Sequence, residues 1–191
     1  MLDELTDICV YNEAPFQWSL YASPMAGKKH SELIQQLQPR LRKLLTGLIV
    51  VLSEHEPQAM RALLDCHTED TLAMCLDLDI TLITDEEMRA LNKEHRGKDE
   101  STDVLSFPLF EDPAKEIGAL ISLPFLTLGS IMVSLDWALA HWQTDETTSD
   151  LPAYLLERIA HGCLHVLGIH HDTQEDYERV KSLQANILQF A

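Results

Sequence analysis

The sequence predicts an α+β (mixed α/β) fold. A single domain is expected, with a small mixed sheet of about four strands, about five or six helices packed over it and a histidine-rich helix near the C-terminus. Three observations lead there. Leu76-Asp77-Leu78-Asp79-Ile80-Thr81-Leu82-Ile83-Thr84 alternates apolar and polar residues, the pattern of a half-buried strand. Leu33, Ile34, Leu37, Leu41, Leu44, Leu45, Leu48, Ile49 and Leu52 form an apolar stripe at helical spacing. From Pro152 to Leu167 the same period returns in Leu155, Leu156, Ile159, Ala160, Leu164 and Leu167.

A chain of 191 residues, 46% of them hydrophobic, is long enough for one good core and gives no sign of bulk disorder. The formal charge of −17 argues against indiscriminate nucleic-acid binding, because phosphate contacts are made by Lys and Arg. An acidic protein can still take up a nucleic acid where its few cations gather in one cleft. Cys9, Cys66, Cys75 and Cys163 form neither a C-x-x-C pair nor a disulfide framework. Free thiols in a reducing cytoplasm are the simplest account. The start, Met1-Leu2-Asp3-Glu4, carries no basic or apolar run of a secretory signal. Ile117 to Leu135 lacks charge for nineteen residues, but Pro124, Gly118, Gly129 and four hydroxyl residues make it two buried strands joined near Pro124 rather than a membrane span.

Along the chain, residues 1–30 show no trustworthy period and are expected to be an irregular N-terminal extension, with the domain proper at 31–191. Ser31 is a candidate N-cap for the first long helix, and Pro39 is expected to interrupt it. Arg40, Arg42 and Lys43 make the densest basic cluster, a solvated helix face or a surface for RNA. After the alternating strand, Thr84 followed by Glu87 reads as a capping box opening a helix that runs to Gly97. Arg96 and Lys98 follow on a cationic loop. Arg96 has two readings, a helix-end or Asp99/Asp103 partner, or a fork of donors for a phosphate. Val104-Leu105-Ser106-Phe107 reads as a strand stopped by Pro108, and a helix begins at Ser134. Thr144 to Asp150 is an acidic loop, and Gln174 to Phe190 is helical again.

The chemistry concentrates in Glu157-Arg158-Ile159-Ala160-His161-Gly162-Cys163-Leu164-His165-Val166-Leu167-Gly168-Ile169-His170-His171-Asp172. Four of the nine histidines fall within this stretch. His161 and His165 are four apart and therefore share a helix face one turn apart, so that two neutral imidazoles can hold one divalent ion. Gly168 suits the position just past the helix end, letting the chain turn so that His170 or His171 closes the coordination. Three nitrogens leave a position open, which marks a catalytic rather than a structural ion. Three imidazoles without a carboxylate suit one Zn²⁺. The glutamate that follows the first histidine in H-E-x-x-H peptidases is replaced by Gly162, which disfavours that mechanism. Cys163 points elsewhere on the helix and reads as core.

These residues, His161-Gly162-x-Leu164-His165-x-x-Gly168-x-x-His171, resemble the metal-binding signature of the YbeY family. Leu91-Asn92-Lys93-Glu94-His95-Arg96-Gly97-Lys98 and Ser101-Thr102-Asp103-Val104-Leu105-Ser106-Phe107-Pro108 resemble its second block, and the likeness spans roughly residues 75–175. It implies a metal-dependent endoribonuclease of ribosomal RNA maturation and ribosome quality control. A zinc-like ion would sit on His161, His165 and His171, with His165 and Arg96 as catalytic residues. It also implies single-stranded precursor ribosomal RNA as substrate, the ribosome or its proteins as partners, a cytoplasmic location and no membrane. Two positions depart from the family's pattern: His170 stands where it carries Asp, and Ser130 where it carries the Asp of Gly-Asp. The alternatives are a non-catalytic ribosome-associated factor with a structural metal, and a metal-dependent hydrolase of another substrate.

Overall fold

The alternating segment forms strand β3 (Cys75–Ile83), and the phase of its apolar residues sets the layering. The computed structural model describes residues 6–13, 16–56, 75–116, 125–144 and 150–191. Leu78, Ile80 and Leu82 are buried on one face of the strand against the main core, and Asp77, Asp79 and Thr81 take the other face. β3 is the centre of a five-stranded sheet in the order β1-β2-β3-β5-β4, with β1 (Thr6–Glu13), β2 (Phe16–Ala22), β4 (Val104–Pro108) and β5 (Phe125–Ser134). The strands β2, β3 and β5 run parallel, and β1 and β4 close the edges in antiparallel fashion. The fold is therefore α+β with one mixed sheet.

The segment expected to be an irregular extension instead carries β1, β2 and the short helix α1 (Pro24–Lys29). Its signal is brief: Leu20 and Ala22 are buried at alternate positions, but Tyr21 between them hides the period. Pairing β2 parallel to β3 requires a long crossover, which includes helix α2 (Ser31–His55). Of the two strands expected around Pro124, the second is β5, and the first falls outside the described residues, as does most of the acidic loop before Asp150.

Pro39 does not interrupt α2, which runs continuously for 25 residues. Pro39 lies on the exposed side, where water can serve the carbonyl it leaves unpaired. On the opposite side Leu37, Leu41, Leu44, Leu45, Leu48 and Leu52 are fully buried. Each such side chain contributes about 1.5–3 kcal/mol, and together they outweigh the ~3 kcal/mol that an interior proline costs. Ser31 is the first residue of the helix rather than its cap; His30 holds that position, with its Nε2 3.3 Å from Asp136 Oδ1.

Helices α6 (Leu151–Val166) and α7 (Gln174–Leu188) pack with α2 on the same face of the sheet and complete the main core. Helix α3 (Asp85–Arg96) lies on the opposite face. There Met88 meets Ile83, Leu105 and Met132 in a second, smaller cluster. The expected capping box opens α3: Thr84 N–H donates to Glu87 Oε2 at 2.8 Å and Glu87 N–H to Thr84 Oγ1 at 3.4 Å. Short helices α4 (Pro113–Glu116) and α5 (Leu135–His141) follow the two central loops. Arg40, from the basic cluster, grips both oxygens of Asp150 at 2.7 and 2.9 Å, so one of its cations is a structural tie between α2 and the start of α6.

Asp79 is the least comfortable residue of the sheet. Its Oδ1 is buried without a hydrogen-bond partner among the described residues, and burial, with the neighbouring Asp77 carboxylate second, pushes its carboxyl up to about 6. Across from it stands Ser130 of β5, where the resemblance leads one to expect a carboxylate. A folded-state pKa above the unfolded one means that the native state holds more protons between about pH 4 and 6. Stability is then lost as pH rises through that window. Asp79→Asn is accordingly expected to raise the melting temperature at pH 7.5 and to leave it almost unchanged at pH 4.5, a contrast that thermal melts at the two pH values measure directly.

Candidate metal centre

Helix α6 begins and ends as its sequence dictates. Asp150 caps it by accepting Ala153 N–H at 2.7 Å, and Pro152 sits in the first turn. Burial alone would raise the Asp150 carboxyl, but Ala153 N–H and Arg40 together hold it below its ordinary value. At the other end Ile169 N–H bonds to Leu164 O at 2.9 Å and Gly168 N–H to His165 O at 3.1 Å, the Schellman pairing. Gly168 has φ 79°, a left-handed conformation that any side chain would strain. This turn folds the chain back, so that His171 approaches the two helical histidines from a third direction.

The three rings meet. His161, His165 and His171 each offer a ring nitrogen within 4.8 Å of the others, and this set could hold a metal ion. His165 Nε2 lies 2.8 Å from His161 Nε2. Of the two histidines left open by the sequence, His171 joins the cluster. His170 instead stands behind His165, its Nδ1 3.2 Å from His165 Nδ1. Burial first, and then the three neighbouring imidazoles, lower His165 to about 4. Burial also lowers His161, against the hydrogen bond from its Nδ1 to Gln184. Both rings are thus held neutral at pH 7, the form whose lone pair can bind a cation.

Gln184, on α7, went unnoticed in the sequence, although it is a polar residue on the apolar face defined by Val180, Leu183 and Ile187. Its Nε2 donates to Glu157 O and Oε1, both at 3.3 Å. Its Oε1 therefore faces His161 Nδ1, also at 3.3 Å. An acceptor there keeps the proton on Nδ1 and turns the Nε2 lone pair toward the other histidines.

Gly162 has a positive role beyond the absence of a glutamate. A Cβ at this position would stand 2.8 Å from Ile131 Cγ2 and 3.2 Å from Ser106 Oγ. The residue faces the sheet, so a side chain here would point into β5 and not at the histidines. Cys163 is fully buried in the core, as expected, with its thiol pushed up by burial.

The histidines line a cavity of about 530 Å³ that also reaches Arg96, Thr102, Asp103 and Ser106. Arg96 ends α3 rather than standing on the loop after it, as the sequence led one to expect, and from there it reaches the cavity wall. Asp99 is already engaged by Arg89 at 2.7 Å and by Lys93 at 2.8 Å, which hold its carboxyl down at about 2. Asp103 accepts Arg158 Nε at 3.3 Å and Val104 N–H at 2.9 Å. Neither carboxylate pairs with Arg96, and among the described residues Arg96 and Lys98 have no ion pair.

Two measurements follow. Replacing Gln184 by Leu should weaken metal binding about 10- to 100-fold in a chelator-competition titration, with the thermal melt of the metal-free protein little changed. Gln184→Glu, which keeps an acceptor, should restore most of the affinity. Gly162→Ala adds an overpacking cost of about 1–3 kcal/mol that exceeds the ~1 kcal/mol by which alanine favours a helix. Urea unfolding should show a net loss.

The family described as endoribonuclease YbeY matches residues 49–191. The endoribonuclease YbeY of Bacillus licheniformis is 36% identical over 120 residues, covering 63% of this chain and 75% of the relative. That of Anaeromyxobacter dehalogenans is 39% identical over 113 residues, covering 58% of this chain but only 52% of the relative, so the chain spans about half of that protein's length. Among solved structures, the solution structure of TM1509 from Thermotoga maritima aligns with a TM-score of 0.40 at 25% identity, over 78% of this chain and 83% of that one. The family match begins within α2 and takes in the capped α3, the cationic loop, β4 and the three converging histidines. On that ground the chain belongs to the endoribonuclease YbeY family.

Proposed function

We propose that the protein is a metal-dependent endoribonuclease that cuts single-stranded RNA during ribosomal RNA maturation, with precursor ribosomal RNA and the ribosome as its partners. The observation that carries this reading is the meeting of three imidazoles and an arginine that, among the described residues, has no ion pair, in one open cavity of a YbeY-family chain.

His161, His165 and His171 are the proposed ligands, and a donor set of three imidazoles fits one Zn²⁺. An ion of that kind supplies Lewis-acid polarisation of the phosphodiester and acidifies water. The chain's own residues supply the rest. Gln184 and His170 hold the rings of His161 and His165 from behind, so the lone pairs stay aimed inward. Arg96, which among the described residues has no ion pair, binds and orients the phosphate and stabilises the charge that develops on it. The Arg158–Asp103 pair stiffens the wall between α6 and the loop that follows α3 and Arg96. The net charge of −17 repels RNA elsewhere on the surface, which favours selective contact at this cationic edge over general affinity. Among the described residues no helix is long and apolar enough to cross a membrane. The cytoplasm, where a thiol such as Cys163 stays reduced, is the proposed compartment.

The reading is tested by metal analysis of the purified protein together with a cleavage assay on single-stranded RNA, with and without chelator. His165→Ala is expected to lose the ion and cleavage together. Arg96→Ala should keep the ion and lose about 10²- to 10³-fold in turnover. Cleavage by metal-free His165→Ala would refute the mechanism. An ion whose removal unfolds the domain, in a protein that cuts no RNA, would mark it as structural instead.

A further inference from the structure

A second cavity lies beside the histidine cavity and shares two of its wall residues. It has a volume of about 320 Å³ and is bounded by Asn92, Arg96, Lys98, Glu100, Thr102 and Trp137, with Arg96 and Thr102 common to both cavities. Its walls come from three elements: the end of α3, the loop 97–103 and α5. They are cross-tied. Asn92 Nδ2 donates to Glu100 O at 2.9 Å, and Asp85 Oδ1 accepts both Ser101 Oγ at 2.7 Å and Ser134 Oγ at 2.5 Å. Trp137 is set by Ser134 Oγ, which accepts its backbone N–H at 3.1 Å, and by His141, whose ring stacks on the indole at 4.2 Å and 21°. The cavity thus has firm walls, although most of its loop is exposed.

The chemistry of the lining is mixed in a particular way. Two cations that have no ion pair among the described residues, Arg96 and Lys98, stand where the cavity meets the histidine cavity and just beyond. Trp137 offers aromatic surface. Glu100 belongs to the same wall and brings an acidic residue there, which a bare phosphate would avoid and a base edge bearing an exocyclic amino group would satisfy. Phosphate donors, an aromatic surface and one acceptor together describe a nucleotide.

We propose that this cavity is a subsite for the nucleotide adjoining the scissile phosphate, with the scissile phosphate on Arg96 where the two cavities meet, the nucleotide's base against Trp137, its far phosphate on Lys98, and Glu100 accepting from an amino-bearing base. The proposal rests on the endoribonuclease reading of the neighbouring cavity and adds to it where the strand runs and what positions it. Trp137 and Lys98 are positioning residues; neither touches the reacting atoms.

The test uses the metal-loaded protein and a five-nucleotide single-stranded RNA carrying a fluorophore at its 3′ end, read by anisotropy. Trp137→Ala is expected to raise Kd roughly 5- to 100-fold, the range that base stacking on an aromatic side chain spans. Trp137→Phe should stay within about threefold of the wild type. Lys98→Ala should weaken binding by a similar amount for all sequences and flatten the salt dependence by about one charge. In cleavage assays the loss in Trp137→Ala should fall on KM. Adenosine 5′-monophosphate should quench tryptophan fluorescence in the wild type but not in Trp137→Phe, and inorganic phosphate at the same concentration should not. A thermal melt separates misfolding from lost contact, and should Trp137→Ala not fold, the Lys98→Ala and quenching measurements decide alone. If the wild type cuts RNA while Trp137→Ala and Lys98→Ala bind the oligonucleotide as it does, the subsite is overturned and the endoribonuclease reading stands. If the wild type neither binds nor cuts RNA, both fall.

Discussion

The seating of α6 on the sheet at Gly162 is the contact on which the rest of this molecule depends. The helix approaches Ile131 so closely that a single methyl group would collide with it. That approach fixes the rotation of the helix, because the face with Leu155, Ile159, Cys163 and Val166 must enter the core. His161 and His165 are then left on the side that borders β4 and the loop before it. The same contact explains why the glutamate of zinc peptidases has no place here. The position that would carry it looks inward at β5, so any proton-transfer group must come from elsewhere in the wall.

Once the helix is seated, the remaining geometry is a matter of ends. The Schellman turn at Gly168 brings His171 back toward His161 and His165, and α7 then crosses behind α6 with Gln184 in reach of His161. Both rings that titrate abnormally do so chiefly because they are half-buried. The same burial that withdraws them from water keeps their nitrogens free for a cation. Low polarity and a full set of polar neighbours coexist because each neighbour holds the outer edge of a ring and leaves the inner edge open.

Charge distribution gives a second, longer-range order. The chain has 31 acidic against 14 basic residues, and six cations among the described residues have a carboxylate at hand. Arg40 caps a cap, Arg89 and Lys93 share Asp99, and Arg158 holds Asp103 and Glu157. Exposed pairs of this kind contribute about 0–1 kcal/mol each, so their effect on stability is small. Their effect on the field is larger. By neutralising each other they leave Arg96 and Lys98 as the cations that face the two cavities, and an acidic protein acquires one short basic edge.

The histidine spacing, the glycine that ends α6, the capping box of α3 and the phase of β3 were all legible in the residues, because each depends on neighbours within one or two turns. The sequence by itself therefore determined the fold class, the helix that carries the histidines and the pair on its face. Tertiary structure alone decided the remainder. It turned residues 6–13 and 16–22 into strands, since β2 exists only by pairing with β3 across a helical crossover. It carried α2 through Pro39, since six buried leucines outweigh one missing bond. It brought His171 rather than His170 into the cluster, since that choice depends on where the turn after Gly168 directs the chain. It also placed Gln184 behind His161 and gave Asp99 to Arg89 and Lys93. Local periodicity records which way a side chain points from its own element, and only packing decides what it meets.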